Sequence, residues 1–300
     1  MSSGEAYLSG KWVPAAELLL SIDDVGFMVG ATVTERLRTF RGQVFRLDDH
    51  LSRLRRSLDI VGIDSHAIAN EIGQAILEFA RRNAGLIDAD DDWGIGAFAT
   101  PGISGGGRPT VCVYGSPLPF RQWATQFDTG VPVVISSHRQ VPSNCWPAEL
   151  KCRSRMHYYL ADREAAARQP GARAIVLDQN GHVAETTTAN VVIYRQDEGL
   201  ISPPQEHILA GVSLGVLKEL ATVLNIPFAM RSFSVDEFCN AEESLLTSTS
   251  ICVLPIVACE GKPIHNGKPG PIYQRVLTAW SQLVGVDIAT QAKQFAERNV

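Results

Sequence analysis

The chain has 300 residues, 45% of them hydrophobic and 20% charged, with a formal net charge of −5. That length fits two domains or one large one, and the weakly acidic balance excludes broad attraction for a polyphosphate, so no nucleic-acid partner is expected. No stretch reaches the roughly 18 to 20 apolar residues of a membrane span, the N-terminus MSSGEAYLSG lacks a signal peptide's regions, and a cytoplasmic address is expected.

In chain order, AYLSGKWVP and TVTERLRTFRGQVFRL are rich in aromatic and β-branched residues between glycines and prolines, which predicts strands. Arg41-Gly42-Gln43 is expected to turn a hairpin between Thr39-Phe40 and Val44-Phe45. Leu51, Leu54 and Leu58 recur at helical spacing and predict a helix over 48–61 with Asp48 as its N-cap; a second is expected over 66–84. WGIGAFAT and RPTVCVYG predict two more strands. Together these predict a smaller α+β domain over 1–118, followed by a connector over 119–130 with Pro119 at its start. From Val131 onward the pattern predicts a larger domain, 131–300: the strand VPVVISS, a helix over 155–169, a strand pair ARAIVLD and ANVVIYR, a helix over 212–224 and the short strand SLLTSTS. The fold class expected is α+β (α/β mixed) with two domains.

The six cysteines are scattered without a Cys-x-x-Cys pair and are expected to be reduced thiols; the seven histidines show no His-x-x-x-His spacing, so no metal is expected. Four features of the second half share one chemistry. Lys151, in AELKCRSRMHYYLADREA just before a helix, is an amine that attacks a carbonyl carbon only when neutral. Taken alone it reads as a solvated lysine. Glu185, in GHVAETTTANVVIY, is a carboxylate that would keep a pyridine nitrogen protonated. LAGVSLGVL starts a helix at Gly211, with the amides of Val212, Ser213 and Leu214 lacking intrahelical partners and therefore suited to a phosphate. The hydroxyls of LLTSTS, 245–250, would complete such a cup.

The order of lysine, E-T-T-T-A-N-V, I-L-A-G-V-S and L-T-S-T-S before an apolar run with Pro255 resembles the class IV aminotransferases, the fold type IV pyridoxal-phosphate enzymes. DDVGFMVGATVTERLRTFRGQVFRLDDHLSRLRRSL is similar to that family's N-terminal segment, so the resemblance covers nearly the whole chain. It implies pyridoxal 5'-phosphate as cofactor, held by Lys151 as a Schiff base, with Glu185 on the ring nitrogen. Arg53, Val212, Ser213, Ser248 and Thr249 would hold the phosphate, Thr188 and Asn190 would line the pocket, and Leu209 would pack on the ring. The resemblance also implies a homodimer that takes an amino acid and a 2-oxo acid.

The chain departs from its relatives in places. Met156 stands where branched-chain aminotransferases carry a tyrosine on the cofactor's phenolic oxygen, with Arg155, Tyr158 or Tyr159 as replacements. Pro101 stands where relatives carry a carboxylate-binding arginine, and Thr34 where D-amino acid transaminases carry a tyrosine. Arg36, Arg38 and Arg108 are the alternative partners for a substrate carboxylate. GGG at 105–107 is expected to be a loop over the site. Two outcomes stay open: amino transfer from a branched-chain or other apolar amino acid, and pyruvate elimination as in the aminodeoxychorismate lyases of the same fold. A non-enzymatic member of the fold would have no need of both Lys151 and Glu185.

Overall fold

The computed structural model describes residues 4–298, in two compact units. Of the described residues, the first comprises 4–119 with Leu150–Ser154 and 297–298; the second comprises Phe120–Glu149 and Arg155–Ala296.

In the first unit β1 (Glu5–Leu8), β2 (Lys11–Pro14), the short α1 (Val25–Met28), β3 (Val33–Phe40) and β4 (Gln43–Val44) precede α2 (Leu47–Ile60), α3 (Ser65–Asn83), β5 (Trp93–Thr100) and β6 (Thr110–Pro117). The strands form an antiparallel sheet in the order β2-β1-β6-β5-β3-β4. The β3–β4 hairpin turns at Arg41 and Gly42, both at positive φ (50° and 75°), the mirror-image turn that matches strand twist. Side chains alternate across β3. Val33 and Leu37 pack into one core with Leu51, Leu54 and Leu58 of α2 and Ile72, Ile76 and Phe79 of α3, so both helices cover one face of the sheet. The even-numbered residues of β3 lie on the opposite face. Asp48 is not the cap expected for α2. Arg46, at φ 55°, occupies that position without a side-chain capping bond, and Asp48 and Asp49 sit in the first turn, where the helix dipole favours acids.

The second unit begins in the segment expected as a connector. Phe120, Trp123 and Phe127 are buried there, in a 3-10 turn and the short α4 (Gln126–Thr129), because a run with that many large apolar groups seeks a core. Then follow β7 (Val131–Arg139), α5 (Met156–Arg168), β8 (Arg173–Leu177), β9 (Val183–Thr186), β10 (Asn190–Arg195), β11 (Gly199–Ser202), α6 (Val212–Val223), β12 (Phe228–Met230) and α7 (Val235–Cys239). The unit ends with β13 (Glu243–Ser248), β14 (Cys252–Cys259), β15 (Lys262–Pro263), α8 (Pro271–Val284) and α9 (Ile288–Gln294).

Its sheet runs β12-β11-β10-β13-β14-β7-β8-β9, and β9 pairs back onto β10 through Asn190 and Glu185. The six strands from β10 to β9 therefore close a ring. This corrects the expected direct pairing of ARAIVLD with ANVVIYR. VAET forms β9, which inserts between β8 and β10, and that insertion sets Glu185 at the closure. Among the described residues no helix is long and apolar enough to cross a membrane.

Candidate active site

In the first unit Lys151 lies in an extended segment that pairs with the start of β3. Thr34 N–H donates to Lys151 C=O at 2.9 Å, Arg153 N–H to Thr32 C=O at 2.9 Å, and Cys152 bridges Val33. Lys151 N–H donates to Ser57 Oγ on α2 at 3.1 Å, so the lysine backbone is held from both strand and helix. One turn earlier on α2, Arg53 grips Glu35 with Nε and Nη2 at 2.8 and 2.7 Å, and His50 Nδ1 lies 2.8 Å from the same carboxylate. All three are almost wholly buried. Burial by itself would raise the Glu35 pKa, but Arg53 and His50 outweigh it and hold the carboxyl far below the usual range. Burial lowers the His50 pKa, partly offset by Glu35, and the Lys151 charge lowers it further.

In the second unit Glu185, 5% exposed, is the centre of a polar chain. Its Oε1 accepts from Tyr158 Oη at 2.7 Å and Gln140 Nε2 at 2.5 Å, and Oε2 lies 3.4 Å from Asn190 Nδ2 and from Leu209 N. Gln140 Nε2 also bonds Tyr158 Oη at 2.7 Å, and its Oε1 lies 3.0 Å from His157 Nε2. Burial pushes the Tyr158 pKa well up and the Glu185 charge adds to it, so the phenol stays a proton donor. Burial and then Arg155 lower the His157 pKa. Arg155 donates to Thr187 C=O, and its guanidinium lies 5.0 Å over the Tyr158 ring.

The expected phosphate cup gathers at the same end of this sheet. Asn190 pairs with Thr247 across β10 and β13, so Ser248 and Thr249, which open the β13–β14 turn, follow directly on that register. Asn190 Nδ2 donates to Leu209 C=O at 2.9 Å, tying the approach to α6 to the same strand. A Cβ on Gly211 would lie 2.0 Å from Asn190 Oδ1, so only glycine admits this contact. The first intrahelical bond of α6 runs from Gly215 N–H to Gly211 C=O, leaving the amides of Val212, Ser213 and Leu214 without intrahelical partners. A buried carboxylate beside a helix start and a hydroxyl-bearing turn is the donor and acceptor set that a phosphorylated pyridine requires. Thr188 is exposed on the bend between β9 and β10.

Of the replacements considered for the missing tyrosine, Tyr158 is committed to Glu185, while Met156 and Tyr159 are 68% and 58% exposed. Two of the three arginines offered for a substrate carboxylate are already in ion pairs. Arg38, 1% exposed, pairs with the fully buried Asp92 at 3.2 Å and stacks on Phe40. Arg108 is exposed and pairs with Glu71 of α3 at 3.3 Å. Thr34 donates its hydroxyl to Ala97 C=O at 3.0 Å. Arg36 alone of the three makes no ion pair among the described residues.

Gln140, Glu35 and His50 were not singled out from the sequence. Glu35 carries a signal in hindsight: it is an acid on the inward parity of β3, shared with Val33 and Leu37, opposite a helix that bears Arg53. Gln140 carries none, because nothing in its neighbourhood announces Tyr158 or Glu185.

Known proteins agree with this architecture. The class IV amino-transferase family model matches residues 32–259. The chain is 28% identical over 294 residues to branched-chain-amino-acid aminotransferase-like protein 2 of Arabidopsis thaliana, covering 95% of this chain and 52% of that one, so it spans about half of that relative. It is 25% identical over 286 residues to D-alanine aminotransferase of Staphylococcus aureus, covering 93% and 97%. Among solved structures, the branched-chain aminotransferase of Thermoproteus uzoniensis with norvaline is similar at TM-score 0.83 and 28% identity, covering 94% and 95%. The Escherichia coli branched-chain aminotransferase shares the fold at TM-score 0.86 and 21% identity, covering 94% and 95%. The chain belongs to the class IV aminotransferases. It is an enzyme of amino-group transfer whose cofactor is pyridoxal 5'-phosphate.

Proposed function

We propose that Lys151 is the lysine that bonds the cofactor and carries the proton, in an aminotransferase that moves an amino group from an apolar or branched-chain amino acid to a 2-oxo acid. The observation that carries this reading is the register that fastens Lys151 to Thr34 and Ser57 while leaving its side chain half-buried. When bound, pyridoxal 5'-phosphate supplies the carbonyl that takes up an amino group and the ring that withdraws electrons from the substrate α-carbon. Lys151 Nζ, once neutral, takes the proton from that carbon and returns it at the opposite end of the transfer. Glu185, oriented by Tyr158 and Gln140, keeps a proton on the ring nitrogen. Val212 and Ser213 amides, the Ser248 and Thr249 hydroxyls and Arg53 hold the phosphate dianion, charge-assisted bonds being the strong ones. Asn190 and Thr188 would line the cofactor pocket and Leu209 would pack against the ring. The names of the relatives support an amino acid donor of this kind.

We also propose that two copies associate. The stretch before β3 exposes Leu19 (77%), Ile22 (76%), Phe27 (72%) and Val29 (70%), a concentration of apolar surface that marks an association face. The free thiols Cys112, Cys145, Cys152, Cys239, Cys252 and Cys259 fit a reducing compartment, the cytoplasm.

The decisive experiment mixes holoenzyme with a single amino acid and follows the cofactor spectrum. Conversion by the amino acid alone, in stoichiometric amount, is expected; Lys151→Ala lowers turnover by roughly 10²–10⁴-fold or more. Pyruvate and 4-aminobenzoate released from aminodeoxychorismate without an acceptor would sink the transferase reading, and full turnover by Lys151→Ala would sink the role given to Lys151.

A further inference from the structure

The face of the first unit's sheet opposite α2 and α3 holds the Arg38–Asp92 pair at one end and, beside it, positive charge with no carboxylate among the described residues. In β3 it presents Thr34 and Arg36, in β5 Gly94, Gly96 and Phe98, and in β6 Cys112 and Tyr114, as the registers Thr34 to Phe98 to Cys112 and Arg36 to Gly96 to Tyr114 require. The alternating glycines make room. A Cβ on Gly94 would lie 2.2 Å from Arg36 Nη2, and one on Gly96 would lie 2.5 Å from the Tyr114 ring, so the guanidinium and the phenol lie directly on bare backbone. Arg153 then reaches the same group, donating from Nη2 to Tyr114 Oη at 2.7 Å.

Two guanidinium groups thus meet around one phenol. Neither Arg36 nor Arg153 pairs with a carboxylate among the described residues, although Glu35, on the other face, has both Arg53 and His50. Burial lowers the Arg36 pKa, the Tyr114 oxygen offsets part of this, and repulsion from Arg153 adds to it. Arginine keeps its charge under such conditions, so this pair raises the local potential and favours an anion.

The pair is also placed for a substrate. Arg153 lies two residues beyond Lys151 in the segment paired with β3, and Arg36 is one strand repeat, about 7 Å, from Thr34, whose amide bonds the Lys151 carbonyl.

We propose that Arg36, with Arg153 and the Tyr114 hydroxyl, forms the subsite that receives a carboxylate of the substrate. The proposal rests on the aminotransferase reading above for the identity of its ligand as an amino or 2-oxo acid. Arg36 supplies the planar fork, held flat by Gly94, and Tyr114 fixes Arg153 beside it. Two carboxylates are chemically eligible: the one next to the reacting carbon, common to all amino acids, and the distal one of a dicarboxylic acid.

The test is calorimetric titration of the holoenzyme with two unreactive acids, glutarate and valerate, together with KM and kcat for glutamate and leucine. Arg36→Ala is expected to weaken glutarate binding roughly tenfold to a hundredfold, the range for charge-assisted hydrogen bonds. If valerate weakens equally, the subsite takes the carboxylate beside the reacting carbon; if valerate is unchanged, it takes the distal one. In either case the loss falls mainly on KM, Arg36→Lys restores part of it, and affinity declines with added salt. Tyr114→Phe, which frees Arg153, gives a smaller loss in the same direction. Wild-type affinity for both acids in Arg36→Ala and in Arg153→Ala would overturn the proposal. Because Arg153 is exposed, its variant decides the matter even where Arg36→Ala folds poorly. Binding of these acids needs no turnover, so a failure of amino transfer would leave this result standing on its own.

Discussion

The two faces of β3 handle positive charge in opposite ways. On the helix-covered face, Glu35 is closed off by Arg53 and His50 with short bonds and almost no exposure. On the other, Arg38 is likewise closed off by Asp92, but Arg36, two residues away, faces Tyr114 and Arg153 with no acid. Arg38 has its counterion inside the fold and contributes to holding it, whereas Arg36, supplied without one, is available to a ligand. Residues spaced two apart on one strand therefore divide into structural and binding roles by what the neighbouring strands present, and not by their own chemistry.

The strongest way to break this contrast is Glu35→Gln. It leaves the buried Arg53 without its counterion, and chemical denaturation is expected to show a loss of about 3–5 kcal/mol, as for other broken buried pairs. The pH dependence follows from the same group. Glu35 has a folded pKa far below the ordinary 4.5, so its stabilisation is fully present above that ordinary value and is lost as pH falls through the depressed one. Melting temperature against pH is expected to drop on the acid side in the wild type, with a shallower acid limb in Glu35→Gln. Equal acid limbs would show that the pair does not govern this behaviour.

Tyr158→Phe comes next. It removes a 2.7 Å bond to a carboxylate, worth about 1.5–3 kcal/mol. The readout is the affinity for pyridoxal 5'-phosphate and the pH profile of kcat, both of which shift if Tyr158 tunes Glu185. Gly211→Ala is expected to cost about 1–3 kcal/mol by overpacking against Asn190, and to weaken cofactor retention measured by dialysis. Arg36→Ala has the smallest expected effect on stability, about 1 kcal/mol, because it breaks no ion pair and loses only packing over Gly94. A large loss of stability there would erase the distinction between the two faces.

Much of the fold was legible from pattern. Leu51, Leu54 and Leu58 gave α2, the Arg41-Gly42 step gave the hairpin, and the glycine before Val212 gave the start of α6. What was not legible had a common cause, the meeting of residues far apart in sequence. The 119–130 stretch looked like a linker by its prolines, yet Phe120, Trp123 and Phe127 find a core that only the folded unit provides. The short VAET offered no strand signal of its own, and its place between β8 and β10 follows from closure of the ring.

The order of Lys151, Glu185, Gly211 and the Thr-Ser-Thr-Ser run carried, in the sequence alone, the resemblance that names the family and its cofactor, and the family match over residues 32–259 agrees with it, because the order of motifs is a property of the chain. Which arginines are committed was decided only by tertiary structure. Arg36, Arg38 and Arg108 are alike in sequence, and their charge is either cancelled or left open by Asp92, Glu71 and the glycines of β5, partners that folding alone brings near.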